Sequence, residues 1–432
     1  MAEIDSFLGV HYNQRKVKDL ADVICPPYDI ITPQMQQELY QRNEYNFVRL
    51  EHNRELPQDT TTDNKYTRSA AVLERWLAQK VLVADKNPSI YLHDHYFHHN
   101  GQKYRRRGVI ASVRLQEWAD NVVRPHEGTL AEHTSDRLSL LWVCQANTSP
   151  ILALFDDKVR WVSALLAERE KSPPMLSSSE VDGERHSLWA INKPEAIDQL
   201  CASLSQQPLY IADGHHRYES ALNYQRERRA RSSAVSGEEA FNFVMMELVA
   251  FNDPGLIILP AHRLVRGMSK AALSELAARL RSFFDVEELP VSKVNVWGQI
   301  DGLLSGGDNS EVKLTLLGLV EGKLLRLKLQ DSSAADQMMP HFHSEMYKRL
   351  DVDIVDSVIP HDLGKGGEVT YSYDGQDAVN RVLQQEYQLA FLLSPVRAEA
   401  VKAIADAGDK MSRKATYFYP KAPAGLVVHR LD

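Results

Sequence analysis

Segments with the two-residue period of β-strands alternate with segments of helical spacing along the whole chain, and this alternation constrains the fold most strongly. The clearest strand pair is predicted over residues 89–115, where two strands meet at Asn100-Gly101, a dipeptide typical of tight hairpin turns. The clearest helix is predicted to begin after Thr32, which precedes a proline at the first helical position, and to end near Arg42. Interleaved strands and helices predict a mixed α/β (α+β) protein.

The length of the chain predicts more than one folded region. At 432 residues it exceeds the size that one hydrophobic core usually serves. We predict an N-terminal α/β region (1–120) that holds the hairpin, a core region (121–265) and a C-terminal α/β region (266–432). In the last region, the spacing of leucine and phenylalanine predicts helix over residues 269–289.

The composition is that of an ordinary globular protein and narrows the classes of partner. Fifty basic and fifty-eight acidic side chains give a net charge of −8, which argues against broad binding of nucleic acid or anionic membranes. The three cysteines are far apart, so a disulfide framework is not expected. The first residues lack the basic and apolar pattern of a secretory signal, and no apolar run is long enough to span a bilayer. We therefore expect a soluble, cytoplasmic protein and leave open whether it forms a homodimer.

The core region contains a dense polar sequence between a predicted strand (208–212) and a predicted long helix that starts at Tyr218. Backbone amides at the start of a helix, together with the helix dipole, favour anions. Gly214 allows a backbone conformation, or an approach by a ligand, that a side chain would block. Arg217 supplies a planar fork suited to phosphate oxygens. The junction is therefore predicted to bind phosphate.

Three neighbours of Gly214 are candidates for catalytic roles. His215 and His216 can donate hydrogen bonds or move protons near neutral pH. Asp213 could hold a histidine, a metal ion or a substrate hydroxyl. The alternative is that Asp213 caps the helix and the other side chains pack locally, but their concentration at one junction favours a functional site.

The sequence around this junction resembles the family called domain of unknown function 1015. The resemblance runs from Ala212 to Leu222 and extends along most of the chain. Its other motifs are Pro27-Tyr28-Asp29, residues 46–50, residues 124–129, Asp136-Arg137-Leu138 and residues 411–421.

A more local resemblance covers Asp213–Arg217. Strand–Gly-x-x-Arg–helix is similar to the nucleotide-binding turn of the ParB and sulfiredoxin superfamily, and Asp-Gly-His-His-Arg is close to the form found in its free-serine kinases. This resemblance implies a ParB/sulfiredoxin-like nucleotide-binding core with additional α/β subdomains. It also implies a nucleotide phosphate bound by Gly214, His215, His216 and Arg217.

A second polar cluster lies in residues 124–137 and belongs to the family pattern. Glu127 or His126 is the candidate base that would take a proton from a hydroxyl group. The side chains predicted to hold phosphate or nucleotide are Arg124, Thr129 and Arg137. A solvated loop that leads into a helix is the alternative.

Two lysines near the C-terminus are further candidates for binding phosphate. Lys414 and Lys421 lie in a loop bounded by proline and glycine, and they could close over an anion or simply be exposed. A different cluster, His93 and His95, shares one face of a predicted strand, but no cysteine or glutamate lies nearby in the sequence. We therefore assign no metal site.

These observations predict a nucleotide-dependent phosphotransferase, a small-molecule kinase that acts on a small hydroxylated metabolite such as serine. ATP or ADP would be the nucleotide, and Mg²⁺ its usual companion. A phosphohydrolase is one alternative, because the same anion site could serve attack by water. A non-catalytic protein that responds to a nucleotide is the other.

Overall fold

The computed structural model contains the hairpin expected over residues 89–115, with strands Ile90–His99 and Gln102–Arg114. Asn100 and Gly101 join them with φ angles of 49° and 73°. Positive φ at both central residues matches the right-handed twist of the two strands, which is why this dipeptide is favoured there. The predicted hairpin is confirmed.

The structure describes residues 1–157, 160–205, 207–231, 236–305, 314–339 and 343–432. Within these residues the chain forms two compact units, and each contains both helices and sheets. This confirms the mixed α/β class, whereas the division into 1–120, 121–265 and 266–432 stays a prediction. The first unit comprises Met1–Pro125, Thr129–Ile257 and Pro420–Asp432, and the second comprises His126–Gly128 and Ile258–Tyr419.

The first unit is built on a large mixed sheet. Among the described residues it has nine strands, and one of them, Ile4–Asp5, pairs with Gln102–Arg114 beside the main path. The other eight follow the order Val123–Arg124, Leu209–Asp213, Ile151–Phe155, Phe243–Ala250, Gln102–Arg114, Ile90–His99, Arg185–Ile191 and Leu176–Ser177. A second sheet of this unit contains Leu82–Ala84, Gly9–Tyr12, Val428–Arg430 and Ala146–Asn147, in that order.

Helices cover the sheets of the first unit. Thr32 caps the first of them by accepting from the backbone N–H of Met35, and Pro33 occupies the first helical position, as predicted. The α-helices of this unit are Pro33–Arg42, Val48–Glu51, Lys65–Ala78, Ala131–Cys144, Trp161–Arg169, Pro194–Leu204 and His215–Arg231. Its 3-10 helices are Leu20–Asp22, Tyr28–Ile30, Trp118–Asp120 and Ala240–Asn242.

The long helix His215–Arg231 is fixed to the sheet by apolar side chains and to a neighbouring helix by hydrogen bonds. Tyr218 and Leu222 are fully buried in the core against the sheet. Ser220 Oγ donates to the carbonyl of Thr134 on the adjacent helix (2.8 Å). The start of this helix therefore has a well-defined position at the end of strand Leu209–Asp213.

The second unit has its own six-stranded sheet among the described residues. The strands follow the order Phe284–Pro290, Lys323–Leu329, Leu314–Leu317, Leu389–Leu393, His262–Arg266 and Glu368–Ser372. A short pair joins Ile257–Leu259 with Tyr417–Tyr419. The helices are Lys270–Phe283, Val296–Ser305, Ser332–Met338, Asp351–Val358, Gly375–Leu383 and Ala398–Asp406, with the 3-10 helix Tyr347–Arg349.

The helix expected over residues 269–289 is wrong in its last six residues. Ser269 caps a helix that ends at Phe283, and Phe284–Pro290 is a strand paired with Lys323–Leu329. The apolar residues after Phe283 alternate with acidic ones, which is a strand period, and the pairing with a neighbouring strand outweighs local helical spacing. In the part of the chain that the structure describes, no helix combines the length and the apolar character needed to cross a membrane.

Candidate functional site

The sheet of the first unit places the predicted junction at the end of strand Leu209–Asp213. This strand runs parallel to Val123–Arg124 and antiparallel to Ile151–Phe155, and its register shifts between Ile211 and Asp213. A β-bulge of this kind redirects the side chains that follow it. Gly214, with φ of +94°, then turns the chain into the helix that begins at His215.

Asp213 lies between two cationic side chains. Its Oδ2 accepts from Nη2 of Arg217 at 2.6 Å, and its Oδ1 accepts from Nζ of Lys421. All three side chains are largely buried, with exposures of 12% for Asp213, 9% for Arg217 and 10% for Lys421. We call these three residues the Asp213 triad. It carries one negative and two positive charges.

The charges of the triad determine its protonation. Burial by itself would raise the pKa of Asp213, but the positive charges of Lys421 and Arg217 outweigh burial and hold that pKa well below its usual range. Burial would likewise lower the pKa of Lys421, and the charge of Asp213 outweighs it and raises that pKa. Asp213 is therefore a carboxylate and Lys421 an ammonium group at neutral pH.

Gly214 is needed at the turn for a second reason besides its backbone conformation. The guanidinium group of Arg217 lies over the Cα of Gly214. A Cβ on residue 214 would therefore lie 2.9 Å from Nε and 3.0 Å from Cζ of Arg217. Nη1 of Arg217 donates to Ser149 Oγ (3.1 Å) and to the carbonyl of Pro150 (2.5 Å), while its buried Nε has no hydrogen-bond partner among the residues that the structure describes. The fork of Arg217 is thus held in place and retains one unused donor.

A small polar cavity lies beside Arg217. It has a volume of about 30 Å³, and Arg137, Asn147, Thr148 and Ser149 contribute to its polar lining. A cavity of this size holds about one or two water molecules. The cationic and hydroxyl groups in its wall favour an anion, but a whole phosphate group would need more room.

A buried carboxylate, that of Glu51, binds two of the side chains that line the cavity. Glu51 is fully buried and accepts hydrogen bonds from the hydroxyl groups of Thr148 (2.6 Å) and Ser149 (3.0 Å). Its backbone carbonyl accepts from Nη1 of Arg137 (2.9 Å), and Arg137 also donates to Asp136 (2.8 Å from Nε). Arg137 is 6% exposed. Arg137 thus donates to two groups of the first unit. Its predicted contact with phosphate stays a prediction.

The two histidines of the junction differ in exposure. His215 is buried at the start of the helix, whereas His216 is half-buried with its ring 5.1 Å from that of His133. The catalytic roles predicted for them stay predictions.

Arg124 and Thr129 of the first unit are also predicted to bind phosphate, but neither is among the contacts of the triad given above. Arg124 donates from Nε to the carbonyl of Asn121 (3.1 Å) and from Nη1 to the hydroxyl of Tyr210 (3.2 Å). Thr129 is exposed just before helix Ala131–Cys144. Their predicted binding of phosphate stays a prediction.

The second unit brings together the other predicted residues. Nε2 of His126 lies 2.9 Å from Oγ1 of Thr416, and the carbonyl of His126 accepts from the backbone of Met411 (2.8 Å). Glu127 forms a parallel bridge with Met411, and its Oε1 lies 3.5 Å from the backbone nitrogen of Lys414. Residues 126–127 and 411–416, which are almost 300 positions apart, thus form one polar cluster. The predicted base role of Glu127 or His126 stays a prediction.

The residues that the sequence did not reveal are Glu51, Thr148 and Ser149. The sequence Asn147-Thr148-Ser149-Pro150 has the composition of an ordinary turn, and its hydroxyl groups gain a function only because Glu51 and Arg217 lie against them. One signal was available: Glu51 directly follows residues 46–50, which belong to the family pattern.

Comparisons with known proteins find one family. The family described as "Protein of unknown function (DUF1015)" matches residues 4–353. No curated protein matches the chain.

Among solved structures, a conserved hypothetical protein from Pyrococcus furiosus is 14% identical, with a TM-score of 0.36 over 74% of this chain and 95% of its own. A free serine kinase in complex with AMP is 13% identical, with a TM-score of 0.36 over 74% of this chain and 91% of its own. SbnI with a C-terminal truncation, from Staphylococcus aureus, is 9% identical, with a TM-score of 0.35 over 74% and 87%.

Proposed function

Since the chain belongs to the DUF1015 family of proteins of unknown function, we propose from its own geometry that it binds a nucleotide phosphate at the Asp213 triad and transfers a phosphoryl group to a small hydroxylated metabolite. The observation that carries the proposal is the pairing of one carboxylate with two buried cations, Arg217 and Lys421, at the turn into a long helix. The nucleotide is ATP or ADP, and an amino acid such as serine is the acceptor to test first.

The charge of the triad supports binding of an anion. Asp213 neutralises only one of its two cationic partners, so the triad itself has a net positive charge, which the nearby carboxylate of Asp29 reduces. The start of helix His215–Arg231 adds the partial positive charge of its dipole at the same point. An anionic oxygen near Gly214 would neutralise this charge and could use the buried Nε donor of Arg217.

The low pKa of Asp213 sets its role within the proposal. A carboxylate whose pKa is held well below its usual range is a poor general base, because it has little affinity for a proton near pH 7. We assign to Asp213 the positioning of Arg217 and Lys421, in place of the predicted catalytic proton transfer. Lys421 is then the cation that would turn from Asp213 towards phosphate.

Both oxygens of Asp213 already accept from cationic donors, so this carboxylate does not fit a resident Mg²⁺ ion. No step is therefore assigned to Mg²⁺ at the triad. The expectation of a Mg²⁺ requirement remains as a property of the nucleotide, whose phosphates normally carry the ion.

The same low pKa favours a second candidate, a non-catalytic protein that responds to a nucleotide. In that case the triad would bind phosphate without any proton transfer. Both candidates bind a nucleotide, but only the kinase transfers its phosphoryl group.

The first test measures the melting temperature of the full chain with AMP, ADP, ATP and inorganic phosphate, each with and without Mg²⁺. A ligand at about one hundred times its Kd stabilises the folded protein by about 2.7 kcal/mol, a readily measured shift. Lys421→Met should lose most of the shift. The matched control Lys103→Met, which removes an exposed lysine of the same unit, should keep it. Equal shifts in both variants would contradict binding at the triad.

The second test separates the enzyme from the binding protein. Transfer of labelled phosphate from ATP to serine and to other small alcohols is measured alongside release of free phosphate. Transfer that is lost in Lys421→Met and kept in Lys103→Met supports the kinase. Binding without transfer or release supports the non-catalytic alternative.

A further inference from the structure

Several ionisable side chains meet inside the large sheet of the first unit, away from the residues used above. His93 and His95 lie on strand Ile90–His99, His186 on the neighbouring strand Arg185–Ile191, and Glu184 just before that strand. The three histidines are at most 4% exposed, and the carboxylate of Glu184 is 35% exposed at the edge of the cluster. Burial of so many polar groups requires a compensating interaction.

The sheet register explains why these side chains meet. His95 lies directly opposite His186 on one side and Arg106 on the other. His93 lies opposite Gly108, and a Cβ there would come within 2.6 Å of Oε1 of Glu247. The absence of a side chain at Gly108 therefore lets Glu247 reach His93.

From these contacts we propose that His95, Glu184 and His186 bind one divalent transition-metal ion of the zinc type. One donor atom from each of the three residues lies within 4.8 Å of the other two, and Nε2 of His95 lies 2.7 Å from Oε2 of Glu184. Two imidazoles and one carboxylate are a ligand set that Zn²⁺ and Fe²⁺ use with coordination positions left open. Mg²⁺ and Ca²⁺ prefer oxygen ligands and do not suit it.

A hydrogen-bonded chain behind the three ligands orients His186. Nδ1 of His93 lies 2.7 Å from Oε1 of Glu247, and Nε2 of His93 lies 3.0 Å from Nδ1 of His186. A carboxylate only accepts, so Nδ1 of His93 donates to Glu247. The contact of His93 with Nδ1 of His186 leaves Nε2 of His186 as the nitrogen that can bind a metal. Metal-bound histidines commonly have this kind of support.

The positive charge of Arg106 lies close to the proposed metal site and opposes the binding of a cation there. Its Nη2 lies 3.3 Å from Nδ1 of His95, and its Nη1 donates to the carbonyl of Pro420 (2.7 Å). Because arginine only donates, His95 carries its proton on Nε2 and donates it to Glu184 in the metal-free state. Binding of the ion at Nε2 therefore requires the neutral ring to carry its proton on Nδ1 instead, which releases no net proton. Nη2 of Arg106 must then turn away from Nδ1 of His95.

The test uses the full chain without a histidine tag, stripped of metal and titrated with Zn²⁺, and with Co²⁺ as a spectroscopic probe. We expect one ion per chain and visible absorption bands of Co²⁺ bound to nitrogen. Absence of stoichiometric binding by the wild-type protein would overturn the proposal.

Two glutamates of one loop provide a matched pair of variants. Glu184→Gln removes a proposed ligand and should weaken Zn²⁺ binding by at least about tenfold. Glu180→Gln removes an exposed carboxylate close to His98 and Lys103 and should bind as the wild type does. If both variants bind equally well, or if Glu180→Gln is the one that loses the ion, the assignment is wrong. Should Glu184→Gln fail to fold by circular dichroism, His186→Gln takes its place with the same expected loss.

Discussion

Replacing Asp213 with asparagine removes the only negative charge of the triad and should strongly destabilise the first unit. The carboxylate holds Arg217 and Lys421, and all three side chains are about nine-tenths buried. Removing one partner of a buried ion pair costs about 3–5 kcal/mol, because a charge remains buried without compensation. In Asp213→Asn two cations remain, so we expect a loss of about 4 kcal/mol. For a unit of this size that lowers the melting temperature by roughly 10 °C.

The dependence of this effect on pH follows from the lowered pKa of Asp213. A depressed carboxyl pKa contributes stability that is complete above the unfolded pKa, about 3.9, and is lost as the pH falls through the folded pKa. The difference between the wild-type protein and Asp213→Asn should therefore be constant from about pH 5 to pH 8. It should shrink only in strongly acidic solution.

Urea and thermal unfolding, followed by circular dichroism, measure the effect. Glu74→Gln is the control, because Glu74 is 64% exposed and pairs with Arg430 at the surface, where a pair contributes at most about 1 kcal/mol. Inorganic phosphate should restore part of the stability of Asp213→Asn, since the anion replaces the lost negative charge. If Asp213→Asn destabilises no more than Glu74→Gln, the triad does not hold compensated buried charge and the reasoning is refuted.

Three further predictions concern single positions. Gly214→Ala should lower the free energy of unfolding by about 1–2 kcal/mol more than Gly237→Ala does. Both glycines have φ near +95°, but only Gly214 lies against the guanidinium of Arg217. Equal urea midpoints for the two variants would contradict this. Glu127→Gln should keep nucleotide binding by calorimetry and lose phosphoryl transfer, and undiminished transfer would remove Glu127 from the reaction. Burial raises the pKa of Asp353 from 3.8 to about 6, so its neutral form stabilises the fold fully below pH 3.8 and this contribution is lost as the pH rises through about 6. One pKa unit corresponds to about 1.4 kcal/mol. Asp353→Asn should therefore be more stable than the wild type by about 3 kcal/mol at pH 8 and equally stable near pH 4. A gain in stability that does not depend on pH would contradict this.

Local chemistry made several elements predictable from the sequence. The helix Pro33–Arg42 has a cap and a proline at its first position, and the hairpin has Asn100-Gly101 at its turn; each signal lies within a few residues. The strand Phe284–Pro290 was missed because its pairing partner lies some forty residues away. Local spacing alone could not show which partner would be available.

The same distinction applies to the candidate site. Asp213 and Arg217 are four residues apart, so their meeting at one helix start follows from the sequence. Lys421 was predicted to bind phosphate, but its pairing with Asp213 across 208 positions depends on the fold. The buried histidines show the limit most clearly. No cysteine or glutamate lies near His93 and His95 in the sequence, and the fold brings Glu184 and Glu247 to them from distant parts of the chain.

The claim on which the functional account depends is that phosphate binds at the Asp213 triad. The most direct measurement is a crystal structure of the full chain with ADP at saturating concentration. The account predicts density for a phosphate group against the backbone at Gly214, with Nζ of Lys421 and the guanidinium of Arg217 within hydrogen-bond distance of its oxygens. A nucleotide bound elsewhere, with Lys421 still paired to Asp213 and no phosphate at the turn, would contradict it.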